Sequence, residues 1–219
     1  MMTEQLTNIQ LFAVWFLPII FAVTVHEAAH GYIAKCFGDN TASMLGRLTL
    51  NPLRHIDLVG TIIVPTILLF FGGMVFGWAK PVPINAHNLR KPRRDMMFIA
   101  IAGPSANIVM AFIWAAIAKV GTVLLQHQFP GALAISYMGM AGLKMNVVFA
   151  VLNSLPLPPL DGGHVLAGLL PKKASLILDY ISPFGFFILL FLVAIGLLGI
   201  IINPISVAVY SIIAELFGI

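Results

Sequence analysis

From about Leu11 to Phe37 the chain stays apolar for long enough to cross a bilayer, yet this run carries His26, Glu27 and His30. Hydrocarbon offers a backbone amide no partner, so a lone apolar run of this length is read as a helix. On a helix, positions i and i+4 share a face. His26 and His30 can therefore bind one metal ion, and Glu27, beside them on the wheel, can take a proton from water at that ion. The same three residues could instead make a polar helix–helix contact that binds nothing. Ionisable groups at membrane depth are costly, however, and as a rule face a bundle interior or a wet cavity that has a function.

The rest of the composition agrees with a membrane protein. Of 219 residues, 60% are hydrophobic and 9% charged, against about 25% charged in soluble domains. The formal charge of +4 belongs in loops that flank the spans, so it is not the footprint of a nucleic-acid partner. Cys36 is the lone cysteine and cannot form an internal disulfide. Removing the first apolar run would remove the H-E-x-x-H, so no cleavable leader is expected, and residues 1–219 read as a single integral-membrane domain.

Taken in order, Gln10 to Phe37 reads as a span that tolerates Pro18, stopped by Gly38-Asp39-Asn40. Gly46 to Leu50 alternates and is closed by Asn51-Pro52, the pattern of a short strand. The segment Leu58 to Trp78 is interrupted by Gly60, Pro65 and Gly72-Gly73. Its apolar part falls short of the ~20 residues a span needs, so it is expected to be re-entrant. Ala79 to Ile84 reads as an extended edge segment. Asn88 to Asp95 gathers Arg90, Lys91, Arg93 and Arg94, a pattern open to nucleic-acid or lipid binding but better suited to a cytoplasmic flank. Further spans are expected over Met96–Leu125, Leu133–Asn153 and Phe184–Ile202, the last ended by Asn203-Pro204, with a shorter apolar stretch from Ile205 to Ile219. His55, His87 and His127 fall in loops and are expected to be solvated, and mid-span Lys144 to snorkel or to pair. The expected fold is an all-α polytopic bundle of about five to six transmembrane helices, with a re-entrant segment and short β segments at its cytosolic edge.

A zinc hydrolase needs a third protein ligand and an open position. Asp161 is the candidate. Prolines 156, 158 and 159 break the helix after Asn153, and Gly162-Gly163 permits a tight turn. Asp161 could equally cap the next helix, and His164 competes for the ligand role.

Three motifs, HEAAH at 26–30, AGPSAN at 102–107 and NSLPLPPLDGG at 153–163, together resemble the site-2 protease family of intramembrane zinc metalloproteases, over roughly Val14 to Leu169. The resemblance implies one zinc ion on His26, His30 and Asp161, with Glu27 as general base. It implies that Asn153 positions substrate or stabilises the oxyanion, and that Gly103, Pro104 and Asn107 form a packing motif. It also implies a zinc metalloendopeptidase that cuts in or near the transmembrane segment of a single-span substrate protein, in the bilayer of a prokaryotic cell membrane. Without a PDZ insert or CBS domains the chain looks like a minimal form, departing from the shorter core by the insert at about Asp57 to Gly77. The rival reading is a membrane metal transporter or metal-binding protein, which would draw ligands from several helices along a path.

Overall fold

The computed structural model describes residues 7–63 and 80–219. The first helix, α1 (Asn8–Cys36), is opened by a capping box: the Thr7 side chain accepts the Gln10 amide, and the Gln10 side chain takes the Thr7 amide. It ends where Gly38 adopts φ +109°. After the short α2 (Thr41–Met44) and the insert come two long helices, α3 (Pro92–Gln126) and α4 (Ala132–Asn153). Proline opens α3, where its missing amide hydrogen costs nothing.

Helices α3 and α4 pack antiparallel at close range. A Cβ on Gly121 would strike the Ser136 backbone, and one on Gly139 the Ala118 backbone. Small residues of this kind let membrane helices approach to backbone contact. Helix α1 lies antiparallel against the first half of α3, so that Ala22 meets Asn107 and His30 meets Ile99.

The remaining helices are α5 (Asp161–Leu169), α6 (Lys172–Ile181), α7 (Gly185–Ala194) and α8 (Leu197–Phe217). The expected single span from Phe184 to Ile202 is not formed. Gly196 turns left-handed at φ +75° and separates α7 from α8, while Asn203-Pro204 sits inside α8 instead of ending it. A proline within a helix removes one ladder hydrogen bond and does not oblige the helix to stop.

Among the described residues, five helical stretches are long and apolar enough to cross a bilayer: Phe12–Cys36, Pro92–Gln126, Ala132–Asn153, Lys172–Ala194 and Leu197–Phe217. Contacts give α8 its direction. Ile205 lines a groove with Asp161, whereas the Phe217 ring lies 6.4 Å from Phe112 and Lys119 donates to the Gly218 carbonyl at 3.0 Å. Helix α8 therefore runs in the direction of α3. At the other end, Arg93 holds the carbonyl of Ala167 in α5, so the chain between α5 and α8 returns to the end of the bundle it left.

Among the described residues there is no strand. The expected strand at Gly46 to Leu50 is instead a turn at Gly46 followed by bends from Leu48 to Leu50, and Pro81 to Ile84 belongs to neither helix nor strand. The reason lies in where the backbone groups go. Arg47 donates to the carbonyls of Lys80 (2.9 Å) and Pro81 (3.3 Å), and Glu27 accepts the Val82 amide. With side chains taking these groups, no ladder forms. The expected re-entrant segment, Leu58 to Trp78, lies outside the described residues except for a π-helical turn over Leu58–Ile63. Its flanks are tied together, because the Lys80 amide donates to the His55 carbonyl at 2.9 Å.

This arrangement predicts topology. With Cys36 replaced by serine, a cysteine at exposed His87 should resist a membrane-impermeant maleimide in intact cells, and one at exposed Gln128 should react. The reverse pattern would overturn the orientation expected from the basic residues.

Candidate metal centre

The site is built on one turn of α1. The His26 and His30 rings stand edge to face with centroids 4.6 Å apart, and their Nε2 atoms are separated by 3.1 Å. Each ring is fixed from behind. The Nδ1–H of His30 donates to the Ile99 carbonyl at 2.7 Å, and that of His26 to Asn107 Oδ1 at 2.7 Å. Both rings therefore carry their proton on Nδ1 and turn an Nε2 lone pair toward the other.

Asp161 completes the group. Its Oδ2 lies 3.2 Å from His26 Nε2 and its Oδ1 3.3 Å from His30 Nε2. It begins α5, but Leu160 is the N-cap and no side chain caps the helix, so the carboxylate is free for the histidines. Gly162 and Gly163 act by allowing close approach and not by turning the chain. Both lie within α5, and a Cβ on either would strike the backbone of the Ser154–Pro158 stretch. Gly103 has the same kind of role, since a Cβ there would collide with both imidazoles.

Two lone pairs and a carboxylate held this close need a cation among them. Asp161 Oδ2 is buried without a hydrogen-bond partner, as expected when the facing nitrogens are acceptors. The separations of 3.1 to 3.3 Å match the edge of a tetrahedron, about 3.3 Å, around zinc with bonds of about 2.0–2.1 Å. The donor set of two imidazoles and a carboxylate suits zinc too. Among the described residues this is the group of three with metal-binding geometry.

A cavity of about 720 Å³ opens onto the group, lined also by Glu27, Val82, Asn153 and His164. Glu27 Oε2 accepts the Val82 amide at 2.8 Å. Asn153 spends one amide hydrogen on the Phe149 carbonyl at 3.0 Å. His164 is exposed and not among the converging ligands.

Sequence reasoning missed the roles of Asn107, Asn146 and Asp39 and the burial of His55. Asn107, read as packing, orients His26: its Nδ2 donates to the Ala22 carbonyl (3.1 Å) and to Asn146 Oδ1 (3.0 Å), which fixes Oδ1 toward the ring. Asn146 in turn donates to the Gly142 carbonyl at 2.9 Å. A buried amide on each of two adjacent spans was the available signal. Asp39, read as a helix stop, accepts from the Thr41 amide and hydroxyl, the Asn85 amide and Asn88 Nδ2, tying the Lys80–Asn88 strap to the end of α1. Burial raises the Asp39 carboxyl, and these donors outweigh it and hold it below the ordinary value. His55, expected to be solvated, is 2% exposed and faces the Thr49 carbonyl at 2.9 Å; His87 and His127 are exposed as expected.

A helical membrane bundle that presents an H-E-x-x-H helix to a carboxylate defines a metallopeptidase of the membrane. The model of peptidase family M50 matches residues 14–133, and the chain belongs to that family, the site-2 proteases. It is 36% identical over 190 residues to the candidate zinc metalloprotease YwhC of Bacillus subtilis, covering 82% of this chain and 80% of the relative. It is 28% identical over 190 residues to the candidate zinc metalloprotease Rip2 of Mycolicibacterium smegmatis, covering 86% and 70%. A shorter match, 37% over 68 residues and 31% of each chain, is to the candidate zinc metalloprotease MJ0611 of Methanocaldococcus jannaschii. No solved structure matches the chain.

Metal analysis of purified variants separates the roles. Asp161→Asn should lose metal, and His164→Ala should keep it. Asn107→Ala should retain the fold but bind metal about 10- to 100-fold more weakly, the range for loss of a ligand's outer partner. Undiminished affinity in Asn107→Ala would remove its role.

Proposed function

We propose that this chain is an intramembrane zinc endopeptidase that hydrolyses peptide bonds in or near the transmembrane segments of single-span membrane proteins. The observation that carries the reading is the convergence of His26, His30 and Asp161 beside Glu27 on one cavity within a bundle of membrane-spanning length. The names of the relatives, all candidate zinc metalloproteases, support the choice of metal.

His26 Nε2, His30 Nε2 and Asp161 are the ligands in this reading. Zinc bound there supplies Lewis acidity, polarising a peptide carbonyl and lowering the pKa of water toward about 7. Glu27 serves as general base: it takes the proton of the attacking water and passes it to the leaving amine. The Val82 amide fixes one carboxylate oxygen of Glu27 and leaves the other for that proton. Asn153, on the wall of the same cavity, has a second amide hydrogen to offer a substrate carbonyl. A substrate helix has its own amides paired, so it must unwind locally before attack.

In this reading the insert at about Asp57 to Gly77 enters and leaves on the cytosolic side, in keeping with its tied flanks. The bacterial and archaeal relatives agree with a multi-pass protein of a prokaryotic cell membrane. A transporter would spread its ligands along a path, and among the described residues they form one cluster.

Glu27→Gln should bind zinc normally and cleave a panel of single-span substrates at least 100-fold more slowly, the lower range for loss of a general base. Zinc content and turnover are measured on the same preparation. Unchanged turnover in the zinc-loaded variant refutes the mechanism, and chelator-insensitive cleavage refutes the metal.

A further inference from the structure

The basic end of the bundle holds a second cleft, separate from the metal cavity. It has a volume of about 510 Å³ and is lined by Lys91, Arg93 and Arg94 on its polar side and Met97, Gly168 and Leu169 on its apolar side. Lys91 and Arg93 stand at the start of α3, and Gly168 packs directly against Met97. Arg93 spends two N–H groups on the Ala167 carbonyl, at 3.1 and 2.9 Å. A guanidinium has five donors, so three remain and its charge is not neutralised by that carbonyl.

Arg94 differs. It lies 3.3 Å from the carboxylate of buried Asp95, which pairs its charge. Lys91 is exposed, and its backbone amide, not its side chain, holds Asp95. A few residues beyond the cleft, Lys172 and Lys173 open α6, and both are exposed. The same helix then exposes Leu176, Ile177 and Tyr180, at 60%, 61% and 79%. Cationic donors thus lie over an apolar floor, with exposed apolar side chains alongside.

We propose that this cleft binds the headgroup of an anionic phospholipid of the cytoplasmic leaflet. The phosphodiester would accept from Lys91 and the free donors of Arg93, with Lys172 and Lys173 adding attraction at the rim. The acyl chains would lie along Met97, Leu169 and the exposed face of α6. Charge alone would equally attract a free phosphate or a nucleic acid. The apolar floor and the apolar flank of α6 at the level of the spans favour a ligand that brings its own hydrocarbon. Basic pockets between helices on the cytoplasmic side are where such headgroups bind. The site holds the junction of α3 with α5, the helix that carries Asp161, so an occupied cleft braces the metal ligand from outside the active site.

Native mass spectrometry of the full-length protein in detergent tests this, with dioleoyl phosphatidylglycerol or dioleoyl phosphatidylcholine added at equal concentration. The wild type should bind phosphatidylglycerol at least tenfold more tightly. Each basic side chain near such a surface contributes about fivefold. Lys91→Gln should therefore lose about fivefold, and Lys91→Gln/Lys172→Gln/Lys173→Gln about a hundredfold. Lys144→Gln, exposed at the middle of α4, should lose nothing. Melting temperature and metal content of each variant show that the fold is kept, and the single variant stands if the triple one does not fold. Equal binding of the two lipids, or undiminished phosphatidylglycerol binding by folded variants, overturns the proposal. Displacement of the lipid by millimolar inorganic phosphate would make this a free-phosphate site and also overturn it.

Discussion

Two imidazole lone pairs and a carboxylate cannot rest about 3 Å apart in an apolar bundle unless a positive charge joins them. Much of the structure is arranged to keep them there. Each histidine is held from behind by a carbonyl-type oxygen, one from the backbone of Ile99 and one from the side chain of Asn107. Both of those oxygens belong to α3, so the ring orientations depend on how α1 and α3 pack. Asp161, the third proposed ligand, sits on a different helix, and its reach depends on Gly162 and Gly163 letting α5 press against the Ser154–Pro158 stretch. Without the cation the arrangement is repulsive. Metal binding therefore contributes to the stability of the bundle as well as to catalysis.

The strap that borders the cavity is held by side chains from the opposite direction. Arg47 grips the carbonyls of Lys80 and Pro81, Asp39 grips the amide of Asn85, and Glu27 grips the amide of Val82. Two of these three clamps have structural work alone. The third is the proposed base, so the position of the strap and the rotamer of Glu27 are set by the same hydrogen bond.

Local chemistry at fixed spacing was legible in the sequence, and contacts made across the bundle were not. His26, Glu27 and His30 follow from one helical turn inside an apolar run. Asp161 follows from the helix breaks and the resemblance, and it proves to face the histidines instead of capping α5. The strand at Gly46 to Leu50 was misread because alternation reports a half-buried extended segment and says nothing about whether a partner strand exists; here Arg47 takes the carbonyls a ladder would have used. The break at Gly196 was missed because the run from Phe184 to Ile202 is apolar throughout, and a glycine within it looks like a packing residue until its φ is known. The burial of His55 rests on the fold of a loop, where periodicity carries no signal.

The roles of Asn107 and Asn146 were hidden for a related reason, and they link helix packing to the metal. Gly121 lies against the Ser136 backbone and Gly139 against the Ala118 backbone, so α3 and α4 touch at backbone distance over two successive turns, and Gly142 lies next against the Trp114 ring. One turn further along, the register set by those glycines brings Asn146 opposite Asn107, both fully buried. Each asparagine is then committed. Asn146 gives a hydrogen to its own helix and its oxygen to Asn107, and Asn107 gives hydrogens to α1 and α4 and its oxygen to His26. Reversing either amide would set donor against donor or oxygen against oxygen in a place water does not reach, at about 1–3 kcal/mol for each group left unsatisfied. A small residue four positions from Asn146, away from the proposed ligands, thus governs which nitrogen of His26 faces Asp161. Enlarging Gly142 would push α4 from α3, part the two amides and release the ring, although no ligand had been touched.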